Sequence, residues 1–185
     1  RTLFFPEGGG QFGDQGWIDG IKVTDTHEKN GVIYHETEAP VAVGTEVKGE
    51  LDYKERFSRM QQHTGEHMLS GIIHRLYGYD NVGFHLGADE TTMDFNGELT
   101  SEQVREVEKL ANQAVWDNIP VEILYPTKEE LASMDYRSKI EIEGQVRIVR
   151  IGDVDMCACC APHVSRTGEV GMIKVISGDR HRGGC

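Results

Sequence analysis

The pattern of hydrophobic and polar positions divides the chain into a strand-rich beginning and a longer part that mixes helices with strands. Before Lys54, apolar and polar side chains alternate in three short runs, which predicts β-strands at residues 17–23, 31–35 and 46–51. Turn residues separate the runs, with Asn30 before the second strand. Strands that follow one another at a spacing of about a dozen residues are typical of a small β-barrel or meander.

From Lys54 onward, apolar residues recur at the spacing of an α-helix. This pattern continues to Leu76, and Gly78 is a suitable C-terminal stop. A second helix is predicted over residues 100–118, because Thr100 and the Gln three positions later match a capping box and a proline follows the end.

The remaining elements are a strand at 121–125, a short helix at 128–134 and strands at 140–142 and 146–151. Strands alone come first and mixed elements follow. This order predicts an α+β fold with an N-terminal domain, residues 1–54, and a second domain, residues 55–185.

Composition narrows the classes of protein that this chain can represent. The 185 residues are enough to bury a core without disulfide staples. No apolar run approaches the roughly 18 residues that a membrane span needs, and no signal-peptide pattern opens the chain. We therefore expect a cytoplasmic protein with no membrane partner. The chain starts at Arg1 and stops at Cys185 within a glycine-rich stretch, so we expect a fragment truncated at its C-terminus.

The net charge of −12 argues against simple nucleic-acid binding, but the charge is unevenly distributed. Residues 1–136 hold 11 Lys and Arg against 25 Asp and Glu, whereas residues 137–185 hold 8 against 6. One interpretation is a solvated acidic surface beside a neutral C-terminal part. The other is that a polyanion would contact the C-terminal third.

Cysteine and histidine spacing predicts a metal site. Three of the four cysteines lie between positions 157 and 160, too close together to form a disulfide framework. His63 and His67 are one helical turn apart, so their imidazoles can converge on one ion. Cys159 and His163 have the same spacing and are ligand types that suit zinc. We therefore predict one Zn²⁺ held by these four residues.

The other cysteines and histidines have no such assignment. The spacing favours Cys159 over Cys157 and Cys160 as the ligand, and the roles of the latter two stay open. Non-ligand roles are expected for the five remaining histidines, namely His27, His35, His74, His85 and His181.

A glycine-rich stretch near the N-terminus is the third feature. Residues 8–10 are all glycine and Gln11 follows them. Neither the Walker pattern nor the dinucleotide fingerprint is present. Such a loop permits close approach of its backbone to a ligand, and Gln11 offers both a donor and an acceptor.

Taken together, these motifs resemble the editing domain of alanyl-tRNA synthetase and the free-standing alanyl-tRNA editing proteins. The resemblance covers nearly the whole chain and rests on motifs in the order of that family: Phe5–Gln11 with Asp14 and Gly16, His63-x3-His67, Thr92–Phe95, Leu99–Gln103, and Cys159-x3-His163 followed by Thr167–Gly171. Glu66 and Cys160-Ala161-Pro162 depart from the usual residues between the paired ligands.

The resemblance implies both a fold and an activity. The fold would be an N-terminal small β-barrel carrying the glycine-rich loop, followed by a two-layer α/β editing domain with an antiparallel sheet and a zinc cleft. The activity would be hydrolysis, in trans, of serine or glycine wrongly attached to alanine tRNA, whose acceptor end would be the partner.

Three residues are candidates for catalytic roles in such a reaction. Gln11 would contact the aminoacyl group, and Thr64 would offer its hydroxyl. Glu66 is either a solvated carboxylate or a group that holds a ligand imidazole or activates water, since it lies beside the His63 and His67 face of an ideal helix.

Two alternatives from other classes remain at this point. His63-Thr64-Gly65-Glu66-His67 matches the pattern of inverted zinc peptidases, although a thiolate is an unusual ligand in hydrolytic peptidase sites. Four protein ligands would also fill a tetrahedron, as in a structural zinc site, so a non-catalytic binding module stapled by zinc is the second alternative.

Overall fold

The computed structural model describes residues 2–87, 90–138 and 144–178. The predicted strand at 140–142 and His181 lie outside them. The helices are α1 (Tyr53–Tyr77), α2 (Ser101–Trp116) and α3 (Lys128–Leu131). The strands are β1 (Gly16–Ile18), β2 (Ile21–Lys29), β3 (Val32–Thr37), β4 (Gly49–Leu51), β5 (Asn81–Leu86), β6 (Thr91–Phe95), β7 (Val121–Leu124), β8 (Ile148–Ile151) and β9 (Asp155–Ala158).

The N-terminal strands form an antiparallel sheet in the order β3-β2-β1-β4. The turn at Asn30 is confirmed, with φ of 54° there and 76° at Gly31, as in a type I′ hairpin. The prediction of one strand over residues 17–23 is wrong, because Asp19 and Gly20 have φ of 49° and 80° and make a second hairpin.

The described residues contain no closed barrel. Closure would require the edge strands β3 and β4 to pair, and no such pairing occurs among the described residues. The predicted barrel is therefore corrected to an open four-stranded sheet. The domain boundary near residue 54 stays a prediction.

Helix α1 is the central element of the second part, and its predicted extent is confirmed. The Asp52 side chain accepts a hydrogen bond from the Glu55 N–H at its start, and Gly78 ends it in the left-handed region at φ 70°. Residues 63–73 are all buried. The site motif on this helix is therefore enclosed by other elements.

The core of this part lies between α1, α2 and the antiparallel sheet β7-β8-β9. The predicted capping box of α2 is confirmed, with Thr100 and Gln103 exchanging side-chain hydrogen bonds. Two elements escaped prediction: the hairpin of β5 and β6, and strand β9 beside the cysteines. The helices and antiparallel sheets together confirm the prediction of a mixed α/β structure.

The distance between α1 and the start of β9 is set by Gly71. A Cβ atom at this position would lie 2.4 Å from the carbonyl oxygen of Val154 and 2.6 Å from Cβ of Asp155. Gly65, six residues earlier on the same helix, has room, since its nearest neighbour would be Cγ1 of Val170 at 3.7 Å.

Gly71→Ala is expected to destabilise the protein by about 1–3 kcal/mol, because the added methyl group forces the backbone of the β8–β9 turn away from the helix. The matched control Gly65→Ala should leave the free energy of unfolding unchanged or raise it by up to about 1 kcal/mol through helix propensity. Urea unfolding of both variants measures the difference. Equal effects would contradict the close approach at Gly71.

Candidate metal centre

Four side chains from two distant segments converge at one point. Helix α1 carries His63 and His67, and the segment after β9 carries Cys159 and His163; one ligand atom of each lies within 4.8 Å of the others. Nε2 of His63 is 3.7 Å from Sγ of Cys159. The structure thus brings together all four predicted ligands.

His67 is oriented by a buried carboxylate. Its Nδ1 lies 2.9 Å from Oδ2 of Asp155. The guanidinium of Arg137 donates to both oxygens of the same carboxylate, to Oδ1 at 2.8 Å and to Oδ2 at 3.0 Å. An imidazole whose Nδ1–H donates to a carboxylate presents Nε2 for ligation. Neither Asp155 nor Arg137 was identified from the sequence, because neither lies in ligand spacing with a histidine.

The other two histidines are held in the same way by candidates that the sequence did identify. Nδ1 of His63 lies 3.1 Å from Oε1 of Gln11, and Nδ1 of His163 lies 3.0 Å from Oγ1 of Thr64. The Thr64 hydroxyl also accepts the N–H of Val164 at 3.3 Å. Because Nδ1 of each of the three histidines is engaged, Nε2 is the nitrogen that each ring directs toward the common centre.

Two buried atoms at this point have no hydrogen-bond partner among the described residues. They are Nε2 of His163 and Nε2 of Gln11. A buried imidazole nitrogen without a partner is costly, and a metal ion would satisfy it. The donor set of three imidazoles and one thiol is of the kind that zinc takes. The residues present therefore fit a metal ion.

Glu66 is buried, which excludes the solvated carboxylate interpretation. Its Oε1 accepts hydrogen bonds from Ser70 Oγ at 2.8 Å and from Asn81 Nδ2 at 2.7 Å. Its Oε2 lies 3.8 Å from Nε2 of His67. Since Asp155 already holds Nδ1 of His67, the carboxylate of Glu66 stands instead on the side of the ring that faces the centre.

The glycine-rich loop, residues 8–10, packs over the centre and places the side chain of Gln11 in it. Gly8 and Gln11 exchange backbone hydrogen bonds across a turn, and the two residues between them have positive φ. A Cβ at Gly10 would lie 2.6 Å from the ring of Phe84, and one at Gly9 would lie 3.5 Å from Sγ of Cys160. Glycine therefore allows the loop to pack directly on the site, where Gln11 is fully buried.

The two other described cysteines are less suited to ligation at this centre. Cys160 is exposed, and Cys157 is buried with its thiol directed at the carbonyl of Ala158 at 3.6 Å. Burial raises the pKa of the Cys157 thiol. Cys157 does form a second group with His67 and Asp155 within 4.8 Å, but Asp155 is already bonded to His67 and Arg137.

The remaining described histidines lie outside the centre. His74 pairs with Asp80 at 3.0 Å, and His35 contacts Thr2 at 2.8 Å. His27 has ligand-type neighbours that its sequence spacing did not indicate, since it lies within 4.8 Å of Asp25 and Glu36 in a partly exposed group.

Several charged side chains among the described residues of the C-terminal third are engaged within the protein. Arg150 pairs with Glu122, Lys174 pairs with Glu108, and Arg147 donates to the carbonyls of Cys159 and Ala161. No helix in the described ranges is both long and apolar enough to cross a membrane.

The surroundings shift the pKa values of His67 and His163 in opposite directions. Burial alone would lower the pKa of His67, but hydrogen bonds to Asp155 and Cys159 and the charge of Glu66 raise it well above its ordinary value. Burial above all, and then the electrostatic effect of the neighbouring basic side chains, lowers the pKa of His163 well below its ordinary value. In the metal-free protein these shifts favour the imidazolium form of His67 and the neutral form of His163.

Comparison with known proteins places this site in context. The family described as "Threonyl and Alanyl tRNA synthetase second additional domain" matches residues 146–185. The alanyl-tRNA editing protein AlaX-L of Pyrococcus horikoshii is 41% identical over 95% of this chain. The alanyl-tRNA editing protein Aarsd1 of Mus musculus is 31% identical over 97% of it. The alanine–tRNA ligase of Halorubrum lacusprofundi is 34% identical over 95% of it.

This chain spans only part of each relative. It covers 46% of the Pyrococcus protein, 44% of the mouse protein and 20% of the Halorubrum ligase. The similarity confirms the resemblance that the sequence motifs predicted.

The apparent affinity for Zn²⁺ is expected to fall as the pH is lowered. The raised pKa of His67 means that the metal-free protein holds a proton that a metal must displace, so acid favours the metal-free form. Competition titrations at pH 6, 7 and 8, with proton release followed in weak buffer, measure the effect. An affinity independent of pH, with no proton released, would contradict ligation by His67.

Proposed function

Because this chain belongs to the family of alanyl-tRNA synthetase editing domains and alanyl-tRNA editing proteins, we propose that it is a zinc-dependent deacylase. Its substrate is alanine tRNA that wrongly carries serine, and it acts in trans on the ester at the acceptor end. The observation that carries the proposal is the buried amide nitrogen of Gln11, which has no partner among the described residues and lies beside the cluster of three histidines and Cys159.

In this proposal the metal is held by Nε2 of His63, His67 and His163 and by Sγ of Cys159. Zinc, when bound, lowers the pKa of water or polarises a carbonyl group. The chain's own contribution is to fix the three imidazoles through Gln11, Asp155 and Thr64, whose contacts with each Nδ1 are 2.9–3.1 Å long. Loss of such a supporting contact typically costs 10- to 100-fold in metal affinity or activity. Thr64 thereby acts as a positioning residue.

Gln11 selects the substrate. Its Oε1 accepts a hydrogen bond from His63, which fixes the amide and leaves Nε2 as a donor without an acceptor among the described residues. The hydroxyl of an attached serine supplies that acceptor. A correctly attached alanine lacks the hydroxyl and leaves the buried donor unpaired, which is the arrangement that gives large discrimination between substrates.

Glu66 acts as the general base. The hydrogen bonds from Ser70 and Asn81 fix its carboxylate, and Oε2 lies 3.8 Å from the His67 nitrogen that faces the centre. A carboxylate so placed can take the proton of the attacking water and return it to the departing ribose oxygen.

The zinc-loaded protein is expected to release serine from mischarged alanine tRNA at least about 100-fold faster than it releases alanine, because only serine pairs the Gln11 donor. Gln11→Met has a similar length without the donor and should shrink this ratio. The measurement is release of radiolabelled amino acid from each charged tRNA. Equal rates for serine and alanine would remove the editing proposal, and release from peptides instead would favour the peptidase alternative.

Glu66→Gln is expected to lower the rate of serine release by about 10²–10⁴-fold while the zinc content stays at one per chain, because the amide accepts the same bonds but cannot take a proton. Glu102→Gln, at an exposed site on α2, is the matched control. Zinc content by elemental analysis and single-turnover rates are measured together. Wild-type rates in Glu66→Gln would show that the carboxylate is not the base, and lost zinc would make it a support for the ligands.

A further inference from the structure

An exposed aromatic ring stands next to the buried part of the site without a role in the chemistry described so far. Phe12 directly follows Gln11, yet its side chain is 45% exposed where Gln11 is fully buried. Apolar side chains of this size are usually covered in a folded protein. The same short loop therefore places one side chain in the centre and the next one at its rim.

The position of the Phe12 ring is fixed by two polar neighbours. The guanidinium of Arg59 lies over the ring at 5.6 Å from its centroid, and the ring of His85 contacts it edge-on at a centroid distance of 6.4 Å. Arg59 also donates to the carbonyl of Gly13 at 2.6 Å, which ties the loop to α1. The ring is therefore held in place while nearly half of it stays open to solvent.

Strand β5 connects this rim to the metal centre. Phe84 lies against His63 at a centroid distance of 5.0 Å, and the next residue, His85, meets Phe12. Successive residues of a strand point to opposite faces, so β5 lines the centre with one side chain and the rim with the next. Strand β5 thus contacts the candidate ligands through Phe84 and the exposed ring through His85.

The other exposed rings of the described residues are attached elsewhere. Tyr34 stacks on His27, and Tyr53 stacks on Phe57 at the start of α1. Trp116 stands at the C-terminal end of α2, and Tyr125 follows β7. Among the described aromatic residues with large exposed surface, Phe12 is the one that adjoins Gln11.

We propose that Phe12 is the stacking surface for the terminal base of the tRNA acceptor end. This inference rests on the proposed function, and it adds a binding site for the base to that for the aminoacyl group. The ester and the terminal base are attached to the same ribose, so when the ester is at the metal centre the base must lie at its rim. A planar ring there offers the base a face, and the guanidinium of Arg59, which is paired with Glu55, supports the ring from behind.

This stacking surface, here called the Phe12 platform, explains how an acidic protein holds the end of a polyanion. Its contact with the substrate is aromatic and local, so it needs no extended basic surface. Base stacking on an aromatic side chain also tolerates any base, so Phe12 adds affinity without reading sequence.

The test compares Phe12→Ala, Phe12→Leu and Phe12→Tyr with Trp116→Ala as the matched exposed aromatic control. With seryl-tRNA for alanine as the substrate, Phe12→Ala and Phe12→Leu should raise KM by about 5- to 150-fold with a smaller change in kcat. Phe12→Tyr should restore KM, and Trp116→Ala should match wild type. Zinc content and circular dichroism check that each variant is folded.

A second readout needs no hydrolysis. An acceptor-stem RNA hairpin that ends in 2-aminopurine should lose fluorescence on binding the wild-type protein and Phe12→Tyr, but not Phe12→Leu. Quenching that persists in Phe12→Leu, or an unchanged KM in an active Phe12→Leu, would overturn the platform. If the wild type quenches the probe through Phe12 but releases no amino acid, the platform stands and the proposed deacylase fails.

Discussion

The contact between α1 and the start of β9 is the constraint on which the site depends. Gly71 presents no side chain there, so the helix and the β8–β9 turn meet backbone to backbone. This brings Asp155 within 2.9 Å of Nδ1 of His67. The chain then runs along β9 and returns Cys159 and His163 to the same helix face. A wider separation would leave the two halves of the site facing each other across a gap.

Charge at this contact is balanced within the protein. Asp155 is shared between His67 and Arg137, and burial, which alone would raise its pKa, is outweighed by these partners, so the pKa is lowered. The carboxylate therefore stays ionised in a buried position, where an unpaired charge would be strongly unfavourable. The two neighbouring histidines differ in their favoured protonation state as a result. In the metal-free protein the raised pKa favours a protonated His67, and the lowered pKa favours a neutral His163.

The sequence predicted those parts of the molecule that are governed by local periodicity. Helix α1, the capping box at Thr100 and the pairing of ligand residues within each of two short segments follow from local spacing, and the matching ligand types joined the two pairs into one site. It missed the contacts made across the fold. Asp155 and Asn81 carry no spacing signal because their partners lie 88 and 15 residues away, and the Asp19 turn was hidden within an alternating run.

The site also has a consequence for how the chain finds its structure. Gln11 reaches His63 across 52 residues, and Thr64 reaches His163 across 99. Joining such distant segments costs loop entropy before any contact compensates for it. A metal ion bound by His63, His67, Cys159 and His163 would act as a cross-link that closes this long loop, in the way a disulfide does. Its binding energy would then be folding energy, and chelation would loosen the architecture as well as the chemistry.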